Sequence, residues 1–132
     1  MNKAQILKGF NDHFMEMIED IVSVFPEDMD ILSAKNSLIA LRKMNPKILI
    51  RSWHTYVVSK YNKEIAAGDL SYFLDKDYTN DVASSSESKR IMTAIDRLRN
   101  PIKSMSPENQ EKILKYLQNL SKLTLVFIQT DQ

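Results

Sequence analysis

The residues best equipped for chemistry crowd between Ser52 and Asp81, where the chain reads SWHTYVVSKYNKEIAAGDLSYFLDKDYTND. Asp75, Asp77, Thr79 and Asp81 set oxygen donors at alternate positions, with Asn80 between the last two, much as a calcium loop begins. Such a loop needs a glycine at its sixth position for the sharp turn and a bidentate glutamate at its twelfth. Asn80 and Ser86 stand at those positions and Glu87 comes one residue late, so an acidic solvated turn is the better reading. His13 and His54 are the two histidines. Asp12 and Glu16 flank the first, which suits a local ion pair; the second follows Trp53 on a helical pattern that also carries Lys47 and Arg51. Acid–base or nucleophilic catalysis needs an acid, a base and a nucleophile within hydrogen-bond reach, and no such trio is spaced along this chain. A hydrolase or metal enzyme would have to be assembled from His13, His54 and the Asp75–Asp81 cluster. Packing roles are the simpler expectation for both histidines.

Other chemistry is removed by composition. There is no cysteine, which excludes disulfides, iron–sulfur clusters, thiolate zinc sites and cysteine nucleophiles. No GxxxxGK[ST] or GxGxxG cradle occurs. Asn119-Leu120-Ser121 matches a glycosylation sequon but falls inside a helical pattern. The serines at 84, 85, 86 and 88 read as a capping loop ahead of Lys89. No cofactor is expected. Trp53, Tyr56 and Tyr61 share a helical spacing that suits either a partner surface or, preferably, the core.

These residues must be positioned by helices. Ile6, Leu7, Phe10, Phe14, Met17, Ile18, Ile21, Val22 and Phe25 recur in steps of three and four, the pattern of one long helix with a broad buried stripe. Phe25-Pro26-Glu27-Asp28 ends it and is expected to open a second helix at the proline, burying Ile31, Ala34, Leu38 and Leu41. Asn45-Pro46 repeats the device, with asparagine as the expected N-cap of a third helix through Trp53, Tyr56 and Val57. Gly68-Asp69 punctuates its end. A loop around 75–88 follows, then a helix with Ile91, Ile95, Leu98 and Ile102 that is strained or ended near Pro101. Ser106-Pro107-Glu108 opens the last helix, with Ile113, Leu117, Leu120, Leu123 and Phe127 inward. Two glycines are too few for a turn-rich β protein, and no period-two run is flanked by a hairpin turn. The expected fold is all-α, a single domain over 1–132 with about five helices. A domain of this length buries roughly two thirds of its unfolded surface.

Charge is balanced in total, at +1, but not in place. Residues 1–40 carry a net −4, 41–66 a net +5, 67–87 a net −4 and 88–103 a net +4. Such blocks serve as solvated faces that complement one another, or as patches that set the register of neighbours. The candidate partner-binding residues are therefore the cations Arg42, Lys43, Lys47, Arg51, Lys89, Arg90, Arg97 and Arg99 with the acids Asp75, Asp77 and Asp81. Direct nucleic-acid binding is the weaker alternative, through the basic segment 42–63, because the cations lie in separated segments without a known recognition motif. The N-terminal residues have no continuous apolar run of the secretion-signal kind, and no apolar run is long enough to span a bilayer.

Five stretches carry a resemblance: Phe10-Asn11-Asp12-His13-Phe14, Val24-Phe25-Pro26-Glu27-Asp28, Ala34-Lys35-Asn36, Leu41-Arg42-Lys43-Met44-Asn45-Pro46-Lys47 and Gly68-Asp69-Leu70-Ser71-Tyr72-Phe73. Together they resemble a family of small proteins from nucleocytoplasmic large DNA viruses, including algal viruses, over about residues 5–82. The resemblance implies a virus-encoded helical protein without enzyme motifs, a minor capsid component located in the virion. Its partners would be other viral structural proteins or further copies of itself. It brings no catalytic residues with it.

Overall fold

The computed structural model describes residues 2–75 and 86–130, and these form helices and turns with no strand among them. Helix α1 (Lys3–Val24) opens on a capping box: the Asn2 side chain accepts from the Gln5 amide, and the Gln5 side chain accepts from the Asn2 amide. Its inward stripe is Ile6, Phe10, Phe14, Met17, Ile18 and Ile21, as the spacing predicts.

The two X-Pro turns correct the expected helix starts. Helix α2 (Met29–Met44) begins three residues after Pro26, capped by Asp28, whose carboxylate accepts from the amides of Asp30 and Ile31. Helix α3 (Ile48–Trp53) begins two residues after Pro46, and Asn45 closes α2 instead of opening α3. The Asn45 amide donates to the Leu41 carbonyl, while its side chain accepts from the Lys47 amide. A proline ring crowds the residue before it out of helical geometry. Phe25 (φ −129°, ψ 65°) and Asn45 (φ −148°, ψ 100°) both show that displacement, so each proline terminates the preceding helix. Ser106 behaves as expected: its hydroxyl accepts from the Asn109 amide, and α7 (Pro107–Thr130) starts at the proline.

Between His54 and Val58 the third helix widens into a π turn before continuing as α4 (Ser59–Ala66). The apolar pattern explains why. Leu49, Trp53, Val57, Tyr61 and Ile65 recur at every fourth residue, a longer step than the 3.6 residues of a regular helical turn. In a regular helix that stripe drifts by about 40° per step, so the face set by Leu49 and Trp53 would return at Lys60 and Glu64 instead. One extra residue in the turn, the geometry of a π-bulge, rotates Tyr61 and Ile65 back onto the core. Tyr56, Val57 and Val58 are consequently all buried in succession.

Helix α4 ends in a Schellman motif. Gly68 takes φ +87°, its amide donates to the Ile65 carbonyl, and the Asp69 amide donates to Glu64. A short helix α5 (Leu70–Asp75) follows, and α6 (Ser86–Lys103) runs through Pro101 for only two further residues. The expected loop around 75–88 is thus shorter at both ends, since Asp75 closes α5 and Ser86 opens α6; residues 76–85 lie outside the described ones.

Helices α1 and α2 form an antiparallel hairpin, tied at two levels by Asp12–Arg42 and Glu19–Lys35, each at 2.7 Å. The hairpin lays α1 against α7 and α2 against α6, and the α3–α4 rod contacts both pairs. Trp53 is the hub. Its ring meets Phe10, Phe14 and Phe73 at centroid distances of 6.5, 5.8 and 6.0 Å, and its indole N–H donates to the Ser121 hydroxyl at 3.3 Å. Tyr56 is buried and Tyr61 half-buried beside it, so the aromatic spacing of this helix serves the core. Among the described helices none is long and apolar enough to cross a membrane.

Candidate functional site

The residues first suspected of chemistry do not converge. Asp77 and Asp81 lie outside the described residues, and Asp75 is the last residue of α5. Among the described residues no group of three or more histidine, aspartate or glutamate side chains is gathered closely enough to hold a metal. His54 is half-buried in the π turn. His13 lies on α1, its ring packed at a tilt of 47° against Tyr116 of α7 with centroids 4.7 Å apart, and its Nδ1 is 3.8 Å from the Glu16 carboxylate. The Tyr116 hydroxyl donates to Asp20 at 2.6 Å. Burial, and then the Asp20 and Glu16 carboxylates, push the phenol well above the usual tyrosine range, which keeps it a hydrogen-bond donor. This cluster fastens α1 to α7.

The two basic segments have different fates. In α6, Lys89 and Arg90 are exposed. Arg97 reaches across to donate to the Ser33 hydroxyl of α2 at 2.9 Å. Arg99 is engaged in structure: with its side chain only 12% exposed, it donates to the Leu74 carbonyl at 2.7 Å and to Asp96 at 2.5 Å. These arginines hold α6 to α2 and α5.

Arg42, Lys43, Lys47 and Arg51 instead collect at one end of the hairpin. Arg42 is paired with Asp12, but Lys43, Lys47 and Arg51 are exposed and meet no acidic partner among the described residues. Lys3 joins them from the start of α1, its ammonium 4.6 Å from the centre of the Phe127 ring. Desolvation there, with the nearby Lys47 and Arg51 charges, lowers its pKa from the ordinary lysine value. Lys8 adds a further cation, paired with Asp12 at 2.5 Å. The hydrogen bonds from Lys8 and Arg42 hold the Asp12 carboxyl below the usual carboxylate range. The cations outnumber the acids at this pole.

Within the pole lies an open groove of about 510 Å³ between the first half of α1 and the last turns of α2. Ala4, Leu7, Met15, Ile39 and Pro46 give it an apolar floor; Lys8, Arg42 and Lys43 give it a cationic rim. Asn11, 3% exposed, also lines it: its amide nitrogen donates to the Pro46 carbonyl at 2.9 Å, and its side-chain oxygen has no partner. That bond holds the Asn45–Lys47 turn against α1 and so shapes the end of the groove. Beside it, Met44 closes α2 with 65% of its surface exposed. An apolar floor with a cationic rim is built to take an apolar side chain presented among acids.

The basic residues of 42–51 were legible from charge alone. Lys8 and Asp12 carry the weak signal of an i, i+4 pair. Lys3, Asn11 and the apolar floor had none, because they meet the others only after the hairpin closes. Comparison of the chain with protein-family models, with curated proteins and with solved structures finds no match.

Proposed function

We infer that this chain is a non-enzymatic interaction protein that docks other proteins through charged and apolar helix faces. The observation that carries this reading is the open apolar groove rimmed by Lys8, Arg42 and Lys43. Cations in excess of acids beside exposed apolar residues are what a protein interface uses for register and contact. The resemblance of residues 5–82 to small proteins of large DNA viruses supports a more specific role, a minor capsid component in the virion that binds other capsid proteins. Mechanism is then passive: complementary charge orients the partner, and the groove fixes it. Proteomics of purified virions combined with lysine cross-linking tests this. The expected result is the chain in virions, with cross-links from Lys8 or Lys43 to another structural subunit; its absence from virions overturns the capsid role.

The alternative is nucleic-acid binding through the 42–63 segment. The proximity of Lys3 to Lys47 and Arg51 favours it, because that places cations from two helices side by side. It requires affinity for DNA or RNA that falls steeply with salt. An apolar groove floor has no use for a phosphate backbone, so the protein-docking reading is preferred.

A further inference from the structure

The opposite end of the same hairpin is the chemical complement of the groove. The turn between α1 and α2 presents Glu27, Asp28 and Asp30 around Met29, which is 74% exposed. Val24, also exposed, stands beside them in sequence. Asp28 is explained as the α2 cap and Asp30 suits the positive end of that helix. Neither role explains a methionine left almost wholly in water. Methionine is a flexible, polarizable side chain that adapts to apolar pockets and is common at binding surfaces. Helix α2 thus begins on an exposed Met29 among acids and ends on an exposed Met44 among cations.

The two ends cannot meet within one molecule. The Asp12–Arg42 pair marks the groove level and the turn lies some fifteen helical residues away, about 20 Å at 1.5 Å per residue. They can meet between molecules. We propose that the acidic Met29 tip of one copy docks into the Lys8/Arg42/Lys43 groove of the next, so that this chain self-associates head to tail. The proposal rests on the reading of the groove as a docking site and names its occupant as a second copy. The contact is heterologous, so it propagates into a ring if the rotation closes and a filament if it does not. Long-range attraction between the acidic and basic poles pre-orients the encounter, and salt weakens it.

The test uses two end-blocked variants of the full chain, Glu27→Lys/Met29→Lys at the tip and Lys43→Glu/Met44→Glu at the groove. All four positions are exposed, and far-UV circular dichroism checks that each variant folds. Sedimentation velocity should show the weight-average mass of the unaltered chain rising with concentration at low salt. Either blocked variant alone should associate at least tenfold more weakly. Mixing the two should restore one intact joint and give a 1:1 dimer that grows no further. Association untouched by either block, or a mixture that stays monomeric, overturns the proposal. So does an unaltered chain that remains monomeric at low salt and millimolar concentration. In that last case, a fluorescent amphipathic helical peptide rich in glutamate separates the two claims. Binding lost in Lys43→Glu/Met44→Glu leaves the groove a docking site for a different protein; no binding removes both claims. Binding of a DNA duplex instead reassigns the pole to nucleic acid.

Discussion

The segments 42–51 and 89–103 are equally basic in sequence, yet the fold uses them in opposite ways. Arg97 and Arg99 point back onto the molecule, to Ser33, Leu74 and Asp96. Lys43, Lys47 and Arg51 point away from it and meet no acid among the described residues. Charge count cannot tell a structural cation from an available one. What separates them is whether a carbonyl or carboxylate of another element lies within reach. The first segment borders an open groove, whereas Arg97 and Arg99 of the second are engaged by α2 and α5, and only Lys89 and Arg90 there stand exposed without such a bond among the described residues.

That contrast can be broken by substitution, against the scale set by the hub. Trp53→Ala should cost about 3–5 kcal/mol of unfolding free energy, as large-to-small changes at fully buried aromatics do. Urea denaturation followed by circular dichroism measures it. Arg99→Ala should cost about 1.5–3 kcal/mol, since it strands the Leu74 carbonyl and removes charge-assisted bonds from a mostly buried group. An effect below 0.5 kcal/mol would place Arg99 with the available cations and undo the contrast. Arg42→Ala should cost no more than about 1 kcal/mol, because its pair with Asp12 is largely in water. That pair gives a pH signature. The folded Asp12 pKa lies below its ordinary value of 3.8, so its contribution is fully present above that value and fades as pH falls through the lower, folded one. Asp12→Asn should lower stability slightly at neutral pH and flatten the acid limb, the two curves converging below the folded Asp12 pKa. Smallest of all, Lys47→Ala and Arg51→Ala should shift stability by less than about 0.5 kcal/mol, as exposed substitutions do. Relief of their repulsion with Lys3 should raise the Lys3 pKa toward its ordinary value, readable by NMR titration.

One further change probes the aromatic helix. Its apolar stripe repeats at every fourth residue, so deletion of Thr55 should convert the π turn to regular helix with Leu49, Trp53, Tyr61 and Ile65 still inward. The expected result is a folded chain with native-like circular dichroism. A one-alanine insertion after Thr55 should instead cost several kcal/mol by turning Val58, Tyr61 and Ile65 off the core.

The helical class, the inward stripes of α1, α2, α6 and α7, the Ser106 cap and the Gly68 terminus were all legible in the sequence. Each rests on local physics: a 3.6-residue period, a hydroxyl three residues from an amide, a backbone free to take positive φ. The X-Pro turns misled by position only. A proline suits the first turn of a helix, but the constraint that Pro26 and Pro46 put on Phe25 and Asn45 makes each a stop first. The four-residue repeat from Leu49 to Ile65 stands in the sequence, but its resolution by a π turn depends on the helix having its core on one side along its whole length.

Sequence alone therefore determined that this chain is helical, where its apolar faces lie and that its charge comes in alternating blocks. Only the tertiary structure decided where those blocks lie relative to one another. Hairpin closure brings Lys3 and Lys8 to Arg42, Lys43 and Lys47, leaves an apolar floor uncovered between them, and sets the acidic Met29 tip at the far end. Local propensity acts over a few residues, whereas a groove is a relation between residues distant in the chain, and only packing brings those together.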